Sequence, residues 1–338
     1  MRYYELIITP ELVKSPDATE GALKTGNNAV SATKPKPPIK FTSLDSKNLP
    51  NLNALQIEFD IPIAAMDMPA NGGAMIKISG IDFSYINQVT DLNGSLIELY
   101  AGMSKGLPLA NYEQSGLIMT GRIWQTFGNW QGENITLDLV VMPVGNYAGN
   151  YAFNWTAGEI MTAMIERVLK LNHPSYQVKS SVNQNLILSA TQSGFYYNLS
   201  QFACYCRDAS KSIITKDEYN GVAITVKNDT FVITDGSSSK KPMAIQFVNL
   251  IGQPTWLNFG TIQLKLSLRA DLHIGDIITI PESFIKLTNK SMQGFTKDKT
   301  AFNGNFTISS IRHTGNFRQP DANSWVTVVD CLQNQAIA

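Results

Sequence analysis

In Thr261–Leu268 every second residue is apolar: Ile262, Leu264, Leu266 and Leu268 alternate with Gln263, Lys265 and Ser267. A period of two puts the apolar set on one face of a strand, so this segment specifies a half-buried β-strand and not an amphipathic helix. The alternation recurs far upstream. In Leu55–Ile63, Leu55, Ile57, Phe59, Ile61 and Ile63 alternate with Gln56, Glu58, Asp60 and Pro62. In Glu133–Val144, Ile135, Leu137, Leu139 and Val141 share a face. Both ends of the chain are therefore committed to sheet. Pro62 puts its end of the strand at a sheet edge or terminus, because proline donates no ladder hydrogen bond.

Other strands join the first group: Tyr3–Ile8, Ala74–Ser79 after the turn Met68–Gly73, Ser95–Gly102 and Gly116–Phe127. A short helix is expected over Ser84–Gly94. Lys14–Leu55 is rich in Pro, Asn, Ser, Lys and Gly and shows no period, which predicts a long polar loop or arm stiffened at Lys34–Pro38. Short strands and frequent turns make residues 1–150 a first β domain, a small barrel or sandwich.

The pattern changes at Trp155. Thr156 and Glu159 have capping-box spacing, and Trp155 with Ile160 could staple the helix start. Ile160, Ala163, Met164, Val168 and Leu171 then form a stripe at helical spacing, and Pro174 ends it. A second helix is expected over Asn198–Ala209, with Leu199, Phe202, Ala203 and Cys206 on one face. Leu186–Ala190 reads as a short strand. Val222–Val226 and Thr230–Thr234 read as a hairpin around Lys227–Asp229. Residues 151–241 thus form an α+β domain that leaves through the flexible Gly236–Lys241. Residues 242–338 form a second β domain, with strands at Thr261–Leu268 and Asp276–Ile280, a polar loop at Phe284–Asn303, and two long strands within Gly304–Cys331.

Composition narrows the function classes. Of 338 residues only 16% are charged, against about 25% in typical soluble domains. Neutral polar residues do the solvating, which suits surfaces that end against other proteins, because ions are costly to desolvate. The formal net charge is zero, so no basic excess marks a nucleic-acid or membrane-surface binder. Cys204, Cys206 and Cys331 are too few for a disulfide framework, and Cys204-x-Cys206 has the wrong spacing for a zinc knuckle. MRYYELIITPEL lacks the apolar core and small-residue cleavage site of a signal peptide. No run approaches the roughly 20 apolar residues of a membrane span.

Motifs for chemistry are equally sparse. There is no GxGxxG, P-loop or HExxH. His313 has no Ser or Cys nucleophile at a telling spacing and is expected to be structural. Asp271 and Asp276 could be a carboxylate pair, but Gly275-Asp276 reads more simply as a turn into a strand. Trp124, Trp130 and Trp256 could form a sugar platform, with burial in the core the expected alternative. Lys265 and Arg269 could line a channel, and so could the neutral Gln263, Ser267 and Thr307. No catalytic, cofactor or metal residue is assigned.

The two β domains end alike. Gly116–Val144 and Gly304–Cys331 each hold an apolar strand, a Gly-Asn-aromatic triplet (Gly128-Asn129-Trp130; Gly315-Asn316-Phe317), a polar tip and a strand containing Thr136 or Thr327. The Gly-Asn pairs are expected at the hairpin turns.

The C-terminal part, with IGQPTW (Ile251–Trp256), then Ile274-Gly275-Asp276-Ile277, then Gly304, His313 and Trp325 in their hairpin, resembles phage tail baseplate hub proteins of long-tailed, contractile-tail phages. The resemblance implies a mainly β fold, with two tail-tube-like antiparallel β-barrels flanking a small α+β domain. It implies a non-enzymatic homotrimer forming a pseudo-sixfold ring, without cofactors, that joins a hexameric tail tube to a trimeric tail spike. Other baseplate proteins would be partners, and genomic DNA would pass in transit at ejection. No stable membrane insertion is expected. The place would be the virion tail, after assembly in the host cytoplasm. The alternatives are a carbohydrate-binding or wall-degrading tail component, and a tail tube protein, which usually has one barrel.

Overall fold

The structure, a computed structural model, describes residues 2–10, 37–67, 73–83, 89–104, 111–142, 148–215, 219–227, 229–236, 242–258, 260–280 and 304–334. The protein is mainly β with a small α+β insert. The first β unit holds β1 (Arg2–Thr9), β2 (Ile39–Thr42), β3 (Gln56–Ala64), β4 (Ala74–Ser79), β5 (Leu96–Met103), β6 (Gly116–Gln131) and β7 (Asn134–Met142). The insert holds β8 (Ala148–Trp155), α1 (Met161–Asn172), β9 (Gln177–Ser181), β10 (Gln192–Asn198), α2 (Leu199–Ile213), β11 (Ala223–Lys227) and β12 (Thr230–Thr234). The last unit holds β13 (Met243–Ala244), β14 (Thr255–Asn258), β15 (Thr261–Ser267), β16 (Ile277–Thr279), β17 (Asn305–Asn316) and β18 (Trp325–Asn334).

The two β units share one sheet among the described residues. Its order is β14-β15-β18-β17-β3-β4-β7-β6-β5-β1-β2, with β16 beside β17 and β13 beside β16. The join is the antiparallel pairing of β17 with β3, from Ser310↔Ala64 to Asn316↔Glu58. Alternation does what it predicts. Ile57, Phe59 and Ile61 of β3, and Ile262, Leu264 and Leu266 of β15, are buried, and their neighbours face the other side. β4 stops opposite Asp60, so among the described residues Pro62 has a strand on one side only, as a residue without an N–H requires.

The sheet buries two cores, one per unit, and the insert has a third. No described ladder closes either β unit on itself; side chains bridge the first one instead. The Tyr4 hydroxyl donates to the Leu55 carbonyl at 2.6 Å, and its ring meets Phe317 edge-on at 4.9 Å.

Several expectations are corrected. The predicted arm at 14–55 contains β2, which pairs with β1, followed by a turn in which the Asp45 carboxylate accepts from the Lys47 and Leu49 amides. Its residues 14–36 lie outside the described residues, as do the turn at 68–72, most of Gly236–Lys241 and the loop 284–303. The helix expected over 84–94 is a 3₁₀ turn at Val89–Leu92, with 84–88 outside.

Thr156 and Glu159 do bond, at 3.1 Å, but within a turn ahead of α1, whose N-cap is Ile160. Trp155 is the last residue of β8, and Gly158 turns the chain at φ +81 before the helix can begin. The buried stripe of α1 is accordingly Met161, Met164, Ile165, Val168 and Leu169, while Leu171 is 75% exposed. The stripe expected on α2 is the observed one, capped by the Asn198 side chain on the Gln201 amide at 2.8 Å. Leu186–Ala190 forms only an isolated bridge, Ile160↔Ile187.

Candidate assembly surfaces

The strand order of the first unit, β3-β4-β7-β6-β5, is repeated by β14-β15-β18-β17-β16. The match extends to single residues. β6 is bulged at Trp124, between the pairs Ile123↔Val141 and Gln125↔Val140. β17 is bulged at Ser309, between Ile308↔Cys331 and Ser310↔Asp330. Ahead of β5, Gly94 at φ +81 donates to the Ile123 carbonyl, and Ile123 returns a bond to Ser95. Ahead of β16, Gly275 at φ +83 donates to the Ile308 carbonyl, and Ile308 returns a bond to Asp276. Glycine takes this left-handed conformation at little cost, so it suits a turn needed twice.

The cross-strand partners also correspond. Ile97 faces Gly121 as Ile278 faces Phe306, and Lys77 faces Asp138 as Lys265 faces Val328. Lys77-Ile78-Ser79 thus aligns with Lys265-Leu266-Ser267. This short signal was in the sequence, and the alignment on Gly-Asn-aromatic is displaced from it by two residues. Gly128 and Gly315 are both ladder residues, facing Leu137 and Trp325, and the first hairpin turns at Gly132. The repeat ends beyond these strands: β1 is antiparallel to β5 and carries β2, whereas β13 is parallel to β16 and carries no further described strand.

The join between units is elaborate. The β17–β18 hairpin reaches into the first core, where Trp325 packs on Phe59 at 5.1 Å and its Nε1 donates to the Gly102 carbonyl at 2.9 Å. The Arg2 guanidinium donates to the Asn316 and Asp321 carbonyls, both at 2.7 Å, and lies over the Trp325 ring. Just past β3, Met66 is buried in the core of the insert and its amide donates to the Ile224 carbonyl at 2.7 Å. The neighbouring Asp67 carboxylate accepts from Arg207 at 2.7 Å. A largely apolar cavity of about 830 Å³ sits where the three units meet, walled by Ile61, Met66, Val226, Leu272 and His313.

The face of the sheet away from the cores runs across both β units and carries opposed charges. Glu58 faces Lys77, which faces Asp138; Arg312 pairs with Asp60; Gln263 and Ser310 both donate to Asp330. Lys265 lies on this face and donates to Asn323. Ser267 and Thr307 alternate outward with the buried residues of β15 and β17. Arg269 does not share it. That residue is 3% exposed, held by Asp271 through two 2.6 Å bonds, with Nη1 lacking a hydrogen-bond partner.

The other singled-out residues are tied into the fold. His313 is buried, with Nδ1 2.9 Å from the Thr327 hydroxyl, which also accepts from the Arg269 amide at 3.0 Å. Asp271 is engaged by Arg269 and Asp276 by the His273 amide and ring, so the two carboxylates serve different partners. Cys206 and Cys331 are buried and burial pushes both thiols up; Cys204 is half-buried. The tryptophans depart from expectation. Trp124 is 62% exposed, Trp130 65% and Trp256 38%, while Trp155 and Trp325 fill cores. Trp130 meets Phe83 edge-to-face, and Trp256 lies on the other β unit, so the three form no flat platform. Among the described residues no three His, Cys, Asp or Glu side chains are grouped to hold a metal, and no helix is long and apolar enough to cross a membrane.

No family model matches the chain. Protein pob1 of Schizosaccharomyces pombe is 27% identical over 197 residues, which is 52% of this chain and 22% of that protein. The similar solved structures include the c3393 protein of E. coli, described as a component of the type VI secretion system with structural similarity to the T4 bacteriophage tail proteins gp27 and gp5. It has TM-score 0.47 and 7% identity, over 82% of this chain and 73% of that one. The 43 kDa tail protein of prophage MuSo2 from Shewanella oneidensis has TM-score 0.49 and 9% identity, over 83% and 96%. Prophage tail protein gp18 from Listeria monocytogenes has TM-score 0.42 and 8% identity, over 98% and 96%. The solved structures this chain is similar to are thus phage-tail and secretion-system proteins.

Proposed function

We propose that the chain is the structural hub of a phage-type tail baseplate: a non-enzymatic homotrimer whose six β units form a pseudo-sixfold ring. The observation that carries this reading is the internal duplication. A chain that holds the same β unit twice in one sheet suits the boundary between sixfold and threefold parts, since three copies present six equivalent units. Its neighbours would be a hexameric tail tube on one side and a trimeric spike on the other, with other baseplate proteins around the rim.

The sheet face bearing Glu58, Lys77, Asp138, Asp60 and Arg312 would line the channel. Those two cations are set against those three carboxylates, so the face offers DNA in transit no excess of cations to bind. The β units would fall within residues 1–150 and 242–338, the first ending ahead of β8, and the insert between them would lie outside the ring. His313 is committed to the Thr327 hydroxyl, Asp271 to the Arg269 guanidinium and Asp276 to the His273 amide and ring, which favours a structural part over a hydrolase.

Mass determination of the purified chain, run beside a peptidoglycan-cleavage assay, tests the reading. A trimer without cleavage is expected. A stable monomer that cleaves peptidoglycan would overturn it in favour of a wall-degrading tail component.

A further inference from the structure

Within the chain the two halves of β17 have different partners. Asn305–Thr307 pair with β16 of the same unit, and Ser310–Asn316 pair with β3 of the other unit. The bulge at Ser309 separates them. β6 is built alike: Gly116–Arg122 pair with β5, the bulge follows at Trp124, and Gln125–Gln131 then have β7 on one side and no described strand on the other. The loop bearing Gly94 does not explain this difference. The corresponding loop at Gly275 makes the same two bonds, and β17 still pairs with β3.

The strand equivalent to β3 in the second unit is β14, the last strand at its end of the sheet. Within one chain β14 and β6 stand at opposite ends of the run β14-β15-β18-β17-β3-β4-β7-β6, and no described ladder joins them. We infer that β14 of one copy pairs with Gln125–Gln131 of the next copy, reproducing between chains the β17–β3 pairing seen within one. This rests on the ring reading above and names the surfaces that close the ring.

The register follows from the template. Gln263 faces Thr255 as Met75 faces Asp60, so Thr255 corresponds to Asp60 and Trp256 to Ile61. Counted from the bulges, Asn129 corresponds to Thr314 and Gly128 to His313. Since Thr314 faces Asp60 and His313 faces Ile61, Asn129 would face Thr255 and Gly128 would face Trp256. An aromatic ring opposite a glycine is a pairing this sheet already uses, at Phe59 and Gly315.

The exposed apolar residues fit the same contact. Trp124, Phe127 and Trp130 lie on β6, and Trp256 and Leu257 on β14. In the template the corresponding hairpin tip buries Trp325 and packs Phe317 in the neighbouring unit's core. The contact is heterologous, so each copy offers one β6 and one β14 and a ring of three leaves neither over.

Cysteines at facing positions test this. Facing residues in an antiparallel pair lie about 4.5–5.5 Å apart between Cα atoms, within the range a disulfide spans. Asn129→Cys with Thr255→Cys, and separately Phe127→Cys with Leu257→Cys, are oxidised and run on a non-reducing gel beside the four single variants, which control for Cys204. The expected result is a covalent trimer from at least one double variant and monomers from every single variant. A wild-type chain that is trimeric by native mass, with neither double variant cross-linked, overturns this interface and leaves the ring standing. A wild-type chain that stays monomeric, with neither double variant cross-linked, overturns both. A covalent ladder running past three overturns closure at three.

Discussion

Gly315 has no room for a side chain, because the Phe59 ring lies directly against the place a Cβ would take. Gly315→Ala should therefore overpack the join between the units and cost about 1–3 kcal/mol, read as a lowered denaturation midpoint. The Thr327 hydroxyl serves both His313 and the Arg269 amide in a buried place. Thr327→Val keeps the shape and strips that amide of its acceptor, for an expected loss of about 1–3 kcal/mol. In the insert, His173 is buried with Nε2 2.7 Å from the Tyr151 hydroxyl. Burial lowers the His173 pKa below its usual 6.5 and pushes the tyrosine up to about 12. At His173 the folded state thus holds fewer protons than the unfolded one, so the contribution of this imidazole is full above pH 6.5 and is lost as pH falls below it. Thermal melting should show this decline, and His173→Gln should flatten it. At this scale the sequence was least legible: nothing in the run around Trp124, Trp130 or Trp256 distinguishes a core tryptophan from one on an open hairpin. That distinction depends on which strand lies alongside.

The strong elements were legible because their apolar residues repeat. β3, β7 and β15 alternate cleanly, and α2 carries its stripe where the spacing puts it. Among the strands not expected from the sequence, β8 does alternate, with Tyr151, Phe153 and Trp155 buried, whereas β9, β10 and β2 lack such a face. Most of β9 is exposed, β10 holds only half-buried and exposed positions, and β2 is a four-residue edge strand. α1 was displaced by a local contest: Thr156 and Glu159 have the spacing of a helix cap, but β8 keeps Trp155 and a turn intervenes before Ile160. Glu159 is instead held by Arg167, whose hydrogen bond draws its pKa down to about 2. Between elements, the Asp67–Arg207 pair ties the chain just past β3 to α2, and the second Asp67 oxygen is buried with no hydrogen-bond partner. Arg207→Ala leaves that carboxylate without its cation. The expected cost is about 1–3 kcal/mol, below the roughly 3–5 kcal/mol of a fully buried pair because Arg207 is partly exposed. Urea unfolding of the variant beside wild type checks it.

Across the whole molecule the duplication was half legible. The hairpins at the two ends of the chain could be set side by side, but Gly-Asn-aromatic is a frequent hairpin string and put the copies two residues out of step. The true markers are the bulges at Trp124 and Ser309, the turns at Gly94 and Gly275, and the Lys-apolar-Ser runs of β4 and β15, and most of these show only once strands are paired. The union of both units into one sheet was not legible at all, since β17 and β3 lie some 250 residues apart along the chain. That union joins two similar domains into one continuous sheet, which the proposed ring would repeat three times. The most direct test is an electron cryomicroscopy map of the assembled protein. The expected map is a ring of six β units around a channel, made by three chains, with β6 against β14 at the three joins between chains and β17 against β3 at the three within them. A map of single chains, or of a two-chain assembly with no channel, would contradict it.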